Sequence, residues 1–436
     1  MKKIIERLGR VSDFAIETLK GYGADKACTH ASETEKTEFN VDGGEFSLLR
    51  TVFTDTVAMS VIKDHKYGTV SVNKTDEASV ISAAENCISA AESSETDECR
   101  DIAPSFGKKE FIHGAVICDK EKLFFRAKEL LSDITKRYPK IVIEQMIVSH
   151  SRNISVYGNT SGSVFTSKSG KYRVDLMYSA HDGETSTSFF SDGFITDCLD
   201  TRFINMCEIE KNLSDVEKQL SSITPKEKFV GVMLLPPSCL GSFIYDLYSN
   251  FLSDKAILSG SSLWLNKVGQ RVVDDRISIG CFPSDGRMVD PTDYTFDGYV
   301  CKDTDIIENG VLRNFVISDY VARKTGHKRT PTDFSSVVVK GGSTPLSEII
   351  SRIDHGIIVG RFSGGETSSN GDFAGVAKNS FLIEKGKIVS ALAETMISGN
   401  LQDIFSDVFA ISAETVCDGT SSLPYIAVNG VTVSSK

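Results

Sequence analysis

The chain has 436 residues, 40% of them apolar and 25% charged, with a formal net charge of −11. Its length allows roughly two or three domains of about 150 residues, and its composition is that of an ordinary globular protein with a sizeable core. No basic patch or block of like charge stands out, and an acidic surface repels phosphate backbones, which excludes direct nucleic-acid binding as a first reading.

Residues 3 to 20 place Ile4, Leu8, Val11, Ala15 and Leu19 on one side of a helix. The charges spread through this N-terminus do not make a secretory signal, and no later window nears the ~18 apolar residues of a membrane span. From about 27 to 73 the pattern turns β-like, with two β-branched runs around a turn at His65 to Tyr67. A second helix follows, with Thr75 as its N-cap and Val80, Ala84, Cys87 and Ala91 along one side. The polar stretch 93 to 110 has no pattern and reads as a linker. A third helix, KEKLFFRAKELLSDITKRY, is closed by Pro139. The strand KIVIEQMIVS comes next, then separate strands such as ISVYG, with hairpin turns at NTSGS and HDG. A helix, IEKNLSDVEKQLSSI, leads to Pro225.

Beyond it, the strand Phe229 to Leu235 ends in two prolines, and a helix then recurs at Leu240, Phe243, Ile244, Leu247, Tyr248, Phe251 and Leu252. Many short strands follow, joined by turns at Asn309-Gly310, Asn370-Gly371 and Lys385-Gly386. Between them STPLSEIISRIDHG reads as a helix capped by Ser343 or Thr344, with Pro345 in its first turn and Gly356 at its end. Helices and strands are partly segregated, which predicts an α+β fold. Its N-terminal α/β segments should precede a large, mostly antiparallel, β-rich C-terminal domain with helices. The expected boundaries are 1–110, 111–225 and 226–436.

Motifs with a fixed chemistry are absent. There is no Walker loop and no GxGxxG after a strand, and Gly158-Asn-Thr-Ser161-Gly162 has the wrong spacing for a nucleophile elbow. There is no HExxH or HExxxH; no two of the seven histidines lie within five residues of each other, so no single helix offers an imidazole pair to zinc. His181 reads as a hairpin-turn residue, His327 as part of a polar loop, and Asp274-Asp275 as a solvated turn. The ten cysteines include no CxxC pair and read as free thiols in a reducing cytoplasm. Gly364 and Gly365 read as a tight strand corner that lets a partner backbone approach.

Five stretches in order carry a family resemblance. They are KFVGVMLLPPSCLG, DGYVCKDTDIIENGVLRNFVISDYVARKTG, the run from GGSTPLSEIISRIDHG to LIEKGKIV, ETMISGNLQDIF, and SSLPYIAVNGVTVSS. Together with a looser match around TVAMSVIKDHKYGTVSVNKTD, they resemble the TldD/PmbA proteins, once labelled modulators of DNA gyrase.

The resemblance implies a cytoplasmic, two-subunit zinc peptidase acting on unfolded peptides or peptide precursors. In the TldD-type subunit an HExxxH helix follows a proline-ended strand, and its two histidines and a distant cysteine hold zinc. Such a site leaves one position open for a water that becomes the nucleophile, with the glutamate taking its proton. Here those positions fall, give or take one residue, on Ile244, Tyr245 and Ser249, none a good substitute ligand. The chain therefore resembles the partner subunit, PmbA or TldE: no catalytic residue and no metal of its own, with zinc expected in a TldD-like partner. Tyr245, Asp246, Gly364, Gly365 and Cys417 are the expected groove or interface residues. A homodimer in isolation, and no nucleic-acid or membrane partner, complete the expectation. Two alternatives remain: a peptidase active through an unrecognised metal site or a thiol such as Cys417 or Cys239, and a non-proteolytic peptide-binding or gyrase-modulating protein.

Overall fold

The computed structural model describes residues 1–364 and 367–435. The first helix, α1 (Lys2–Gly21), buries Leu8, Ala15 and Leu19, the stripe that its spacing predicts. It packs on an antiparallel meander of β1 (Lys26–Asp42), β2 (Glu45–Lys63) and β3 (Lys66–Val72). The β2–β3 turn sits a residue earlier than expected, on Asp64 and His65. Both have positive φ (52° and 58°), as a two-residue hairpin requires. Helix α2 (Glu77–Glu92) is capped by Asp76, whose carboxylate accepts from the Ser79 amide, and not by Thr75. The Thr75 hydroxyl is taken instead: it accepts from Arg7 and donates to Asp55.

Next come β4 (Lys108–Gly114), α3 (Lys120–Arg137), β5 (Ile141–Asn159), β6 (Val164–Asp182), β7 (Thr185–Ser186), β8 (Phe190–Thr196) and α4 (Ile209–Lys218). The strands run β3-β2-β1-β5-β6-β4 in one sheet, with β7 and β8 also on β6. Strands from both sides of residue 110 thus share their hydrogen bonds, β1 pairing β5 from Cys28↔Asn159 to Asp42↔Gln145. The two strands expected between 140 and 158 are one 19-residue strand, β5. Its polar middle does not break the ladder, because Arg152 reaches Glu33 and Glu35 on β1 across the sheet.

The second sheet begins at β9 (Phe229–Leu235). It is followed by α5 (Pro237–Leu247), which widens into a π turn over Tyr248–Leu252, and by α6 (Asp254–Leu258). Then come β10 (Ile279–Cys281), β11 (Thr304–Glu308), β12 (Val311–Leu312), α7 (Asp319–Thr325), β13 (Val337–Val339), α8 (Leu346–Arg352), β14 (His355–Ile358) and β15 (Arg361–Gly364). The chain closes with β16 (Asp372–Lys378), β17 (Ser380–Glu384), β18 (Lys387–Leu392), β19 (Thr395–Asn400), α9 (Leu401–Ser406), β20 (Val408–Cys417) and β21 (Ser421–Ser435). The order is β12-β11-β10-β13-β21-β9-β14-β17-β18, with β15, β16, β19 and β20 joined beside it. The Asn309-Gly310 and Lys385-Gly386 turns have the paired positive φ that their sequences predict.

Helix α8 departs from expectation at both ends. Pro345 itself takes the N-cap position, and the distant Glu414 carboxylate accepts from the Leu346 amide at 2.9 Å, while Thr344 bridges to Ser412 of β20. The helix stops at Arg352, and Gly356 lies inside β14. A Cβ on Gly356 would stand 2.5 Å from the Val232 carbonyl, so the glycine serves the close approach of β14 to β9 and does not end a helix. The molecule is α+β, its larger core lying between the second sheet and α5. Among the described residues no helix is long and apolar enough to cross a membrane.

Candidate functional site

Helix α5 starts abruptly because Pro236 and Pro237 end β9 and preset the first helical turn. One face, Leu240, Phe243, Ile244 and Leu247, is at most 2% exposed and packs into the main core. The other carries Gly241, Ser242 and Tyr245, and Tyr245 is 58% exposed. This face lines a cleft made of two hollows of about 340 and 390 Å³, which share Gly241, Ser421 and Leu423.

Both sheets build the cleft. The amide of Ile195, at the end of β8, donates to the Asp418 carbonyl at 2.8 Å, fixing the first sheet to the β20–β21 turn. The Asp418 carboxylate folds that turn by accepting from the amides of Thr420 (2.8 Å) and Ser421 (2.7 Å). Asp192 lies in the first hollow, where desolvation pushes its carboxyl up from the usual range. The Tyr178 hydroxyl and Asn212 amide donate to it at 2.6 and 2.7 Å and work the other way. Cys207, beside it, has φ +50° and a thiol pushed up to about 12, by desolvation first and then by the nearby Asp418 and Asp192 charges. Glu208 accepts from the Tyr425 hydroxyl.

The expected site residues do not converge on one point. Tyr245 lines the cleft, 5.9 Å ring to ring from Tyr248, which stacks on Phe334. Asp246, one residue on, instead accepts from the Thr367 hydroxyl at 2.7 Å, tying α5 to the segment after β15. Gly364 ends β15 opposite Gly375 of β16, with Phe362 filling the space where a Cβ would go. Gly365 lies outside the described residues. Cys417 ends β20; its thiol faces the Arg287 carbonyl at 3.7 Å and is raised by desolvation, while its own carbonyl accepts from Cys207. Thus Tyr245 meets the turn after Cys417, and Asp246 meets the segment after Gly364, on different sides of one helix.

Of the motif positions, Ile244 is 2% exposed and Ser249 sits in the π turn. His181 bonds the Ser179 hydroxyl at 2.9 Å, and His327 packs edge-on against Phe315. Among the described residues no three His, Cys, Asp or Glu side chains are grouped to hold a metal ion. Asp192, Cys207 and Glu208 were not anticipated. They come from segments far from α5 in the chain, and only the Asp418-Gly419 turn signal marks the cleft in the sequence.

The architecture is thus a proline-ended central strand leading into a cleft-lining helix. Residues 231–435 match the PmbA/TldA metallopeptidase C-terminal domain. The chain is 24% identical to the Metalloprotease PmbA homolog of Haemophilus influenzae, over 93% of this chain and 91% of that one. It is 25% identical to the Zinc metalloprotease TldD homolog of Saccharolobus solfataricus, over 64% and 63%. The crystal structure of TldE from Thermococcus kodakarensis superposes with a TM-score of 0.82 at 20% identity, covering 97% of this chain and 99% of that one. Over residues 231–435 the chain is of the TldD/PmbA family.

Proposed function

We propose that this chain is a PmbA/TldE-like, non-catalytic subunit that completes a peptide-holding chamber with a TldD-like zinc metalloprotease. The observation that carries this reading is the state of α5. The helix keeps its strand, its prolines and its cleft, but Ile244 turns an aliphatic side chain into the core and offers no lone pair to a metal. The thiol alternative is weakened by burial, which pushes Cys239 up to about 12 and raises Cys417; little nucleophilic thiolate is present at neutral pH. All ten cysteines are free, which suits a reducing cytoplasm.

Zinc per chain, measured on untagged protein purified without chelator, is expected to be near zero. A value near one that survives dialysis overturns the reading. Mixed with a TldD-like zinc metalloprotease, the chain is expected to co-elute with it and to promote cleavage of an unfolded peptide that the chain alone leaves intact.

A further inference from the structure

The β1–β2 hairpin leaves one sheet edge open. Strand β3 covers β2 only from Val57, opposite Val72, to Lys63, opposite Lys66, while β1 follows β2 down to Glu45. Residues 45 to 56 of β2 therefore form the rim of the first sheet, and those from 45 to 54 are exposed on both faces. The ladder fixes where the unused main-chain groups point. The Ile62 carbonyl accepts from the Asp25 amide, on the β1 side, and the pairing with β1 is regular from Ile62 down to Leu48. In an antiparallel ladder alternate residues turn both their N–H and C=O to the same neighbour. Leu48, Arg50 and Val52 thus face β1, and Leu49, Thr51 and Phe53 point outward. Among the described residues no main-chain or side-chain partner meets these outward groups.

A long, apolar open edge pairs with another strand unless charge or proline guards it. No lysine or proline stands between residues 45 and 56. Arg50 and Asp55 are already paired within the chain, with Glu38 and Arg7. The apolar side chains are outside: Leu49 and Phe53 are 66% and 65% exposed on one face, and Leu48 and Val52 are exposed on the other. Leu49 lies opposite Phe39, which packs on Phe124, so the more exposed pair is on the α3 face. A neutral, apolar strand suits this rim better than a charged one.

We propose that the rim pairs antiparallel with the same rim of a second copy, about a twofold axis through Thr51. Self-complementarity fixes both the occupant and the register. An axis at Thr51 sets Leu49 opposite the partner's Phe53, and Phe53 opposite the partner's Leu49. Facing residues share a face of the sheet, so the two most exposed apolar side chains of β2 cover each other twice. Leu49, Thr51 and Phe53 all point outward, so the three facing pairs exchange about six main-chain hydrogen bonds. An axis at Arg50 would oppose two arginines, and one at Val52 would set Leu49 against an aspartate. Thr51 is also the middle of the open stretch, so each hairpin tip stops where β3 of the other copy begins. The proposal goes beyond the subunit reading and does not depend on it.

Sedimentation velocity on the full-length chain, from about 1 to about 200 µM, is the test. A monomer–dimer equilibrium with a Kd of roughly 10 µM is expected, because such a pairing buries about 1,000 Å², the low end for a specific interface. Leu49→Lys, at an exposed site that tolerates the change, should weaken dimerisation at least about tenfold. Ile112→Lys, also at an exposed site but on β4 at the far edge of the same sheet, should leave it unchanged. Hydrogen exchange read by mass spectrometry needs no variant: the peptide covering residues 47–56 should exchange more slowly at the higher concentration, and β4 should not. A chain that stays monomeric throughout overturns the proposal. So does a dimer that Leu49→Lys leaves intact, or one without protection over 47–56. Protection there only after a TldD-like metalloprotease is added, with the chain alone monomeric, also overturns it and gives the rim to that partner.

Discussion

Phe243→Ala is expected to destabilise the chain by about 3–5 kcal/mol, the range for a buried aromatic truncated in a packed core. Phe243 is 1% exposed, and its ring lies 5.4 Å from that of Phe362 and 5.3 Å from that of Phe373. These two rings belong to β15 and β16, so the one side chain fastens α5 to that strand pair. Its loss opens a cavity on the buried face of the helix and loosens the Asp246–Thr367 bond on the flank. Tyr245→Ala is the contrast. That side chain is 58% exposed, so its removal should change stability by less than about 0.5 kcal/mol while altering the cleft. Urea unfolding with a shared m value separates the two. A loss below about 1 kcal/mol for Phe243→Ala would mean that α5 is not anchored through this aromatic cluster, and that its cleft face is held from elsewhere.

The same helix shows how much of the molecule was legible in the sequence. Its buried stripe and proline start could be read directly, because period and φ restriction are local. The Lys385-Gly386 hairpin was legible for the same reason. What failed depended on distant partners. Thr75 makes as good a cap as Asp76 until Arg7 and Asp55 claim its hydroxyl. The stretch around Arg152 looks like a turn until Glu33 and Glu35 stand on the next strand. Gly356 looks like a helix stop until the Val232 carbonyl is placed against it. The cleft is the extreme case. Tyr245 was found through a family pattern, but Asp192 and Cys207 reach the cleft only because β8 and the β20–β21 turn are bonded together. No local pattern encodes that.

The join between the two sheets should weaken as pH rises above 6.5 and through the raised pKa of His113. His113, on β4 of the first sheet, meets Asp293 of the second segment at 2.6 Å, and the Ser167 hydroxyl donates to the same carboxylate at 3.0 Å. The hydrogen bond with Asp293 raises the His113 pKa above 6.5; burial opposes it, and the charges of Asp293 and Asp290 add to the rise. The sign follows from the proton count. The folded chain holds this proton more tightly than the unfolded chain, so the stabilisation is fully present below pH 6.5 and is lost as pH rises through the raised value. His113 is half-buried and water screens the pair, so the loss should be about 1 kcal/mol, below the full value of a buried charge-assisted bond. His113→Gln should remove this pH dependence and leave the chain at pH 6 less stable by a similar amount. Denaturation at pH 6 and pH 8.5, run on both proteins, decides it. If the stability difference between them does not shrink at the higher pH, the contact is not an ion pair, and the sheets are joined at this point by packing and by the Ser167 bond instead. Because the α5 cleft takes walls from both sheets, a loosened join should also be felt there, as weaker co-elution with a TldD-like partner at pH 8.5 than at pH 6.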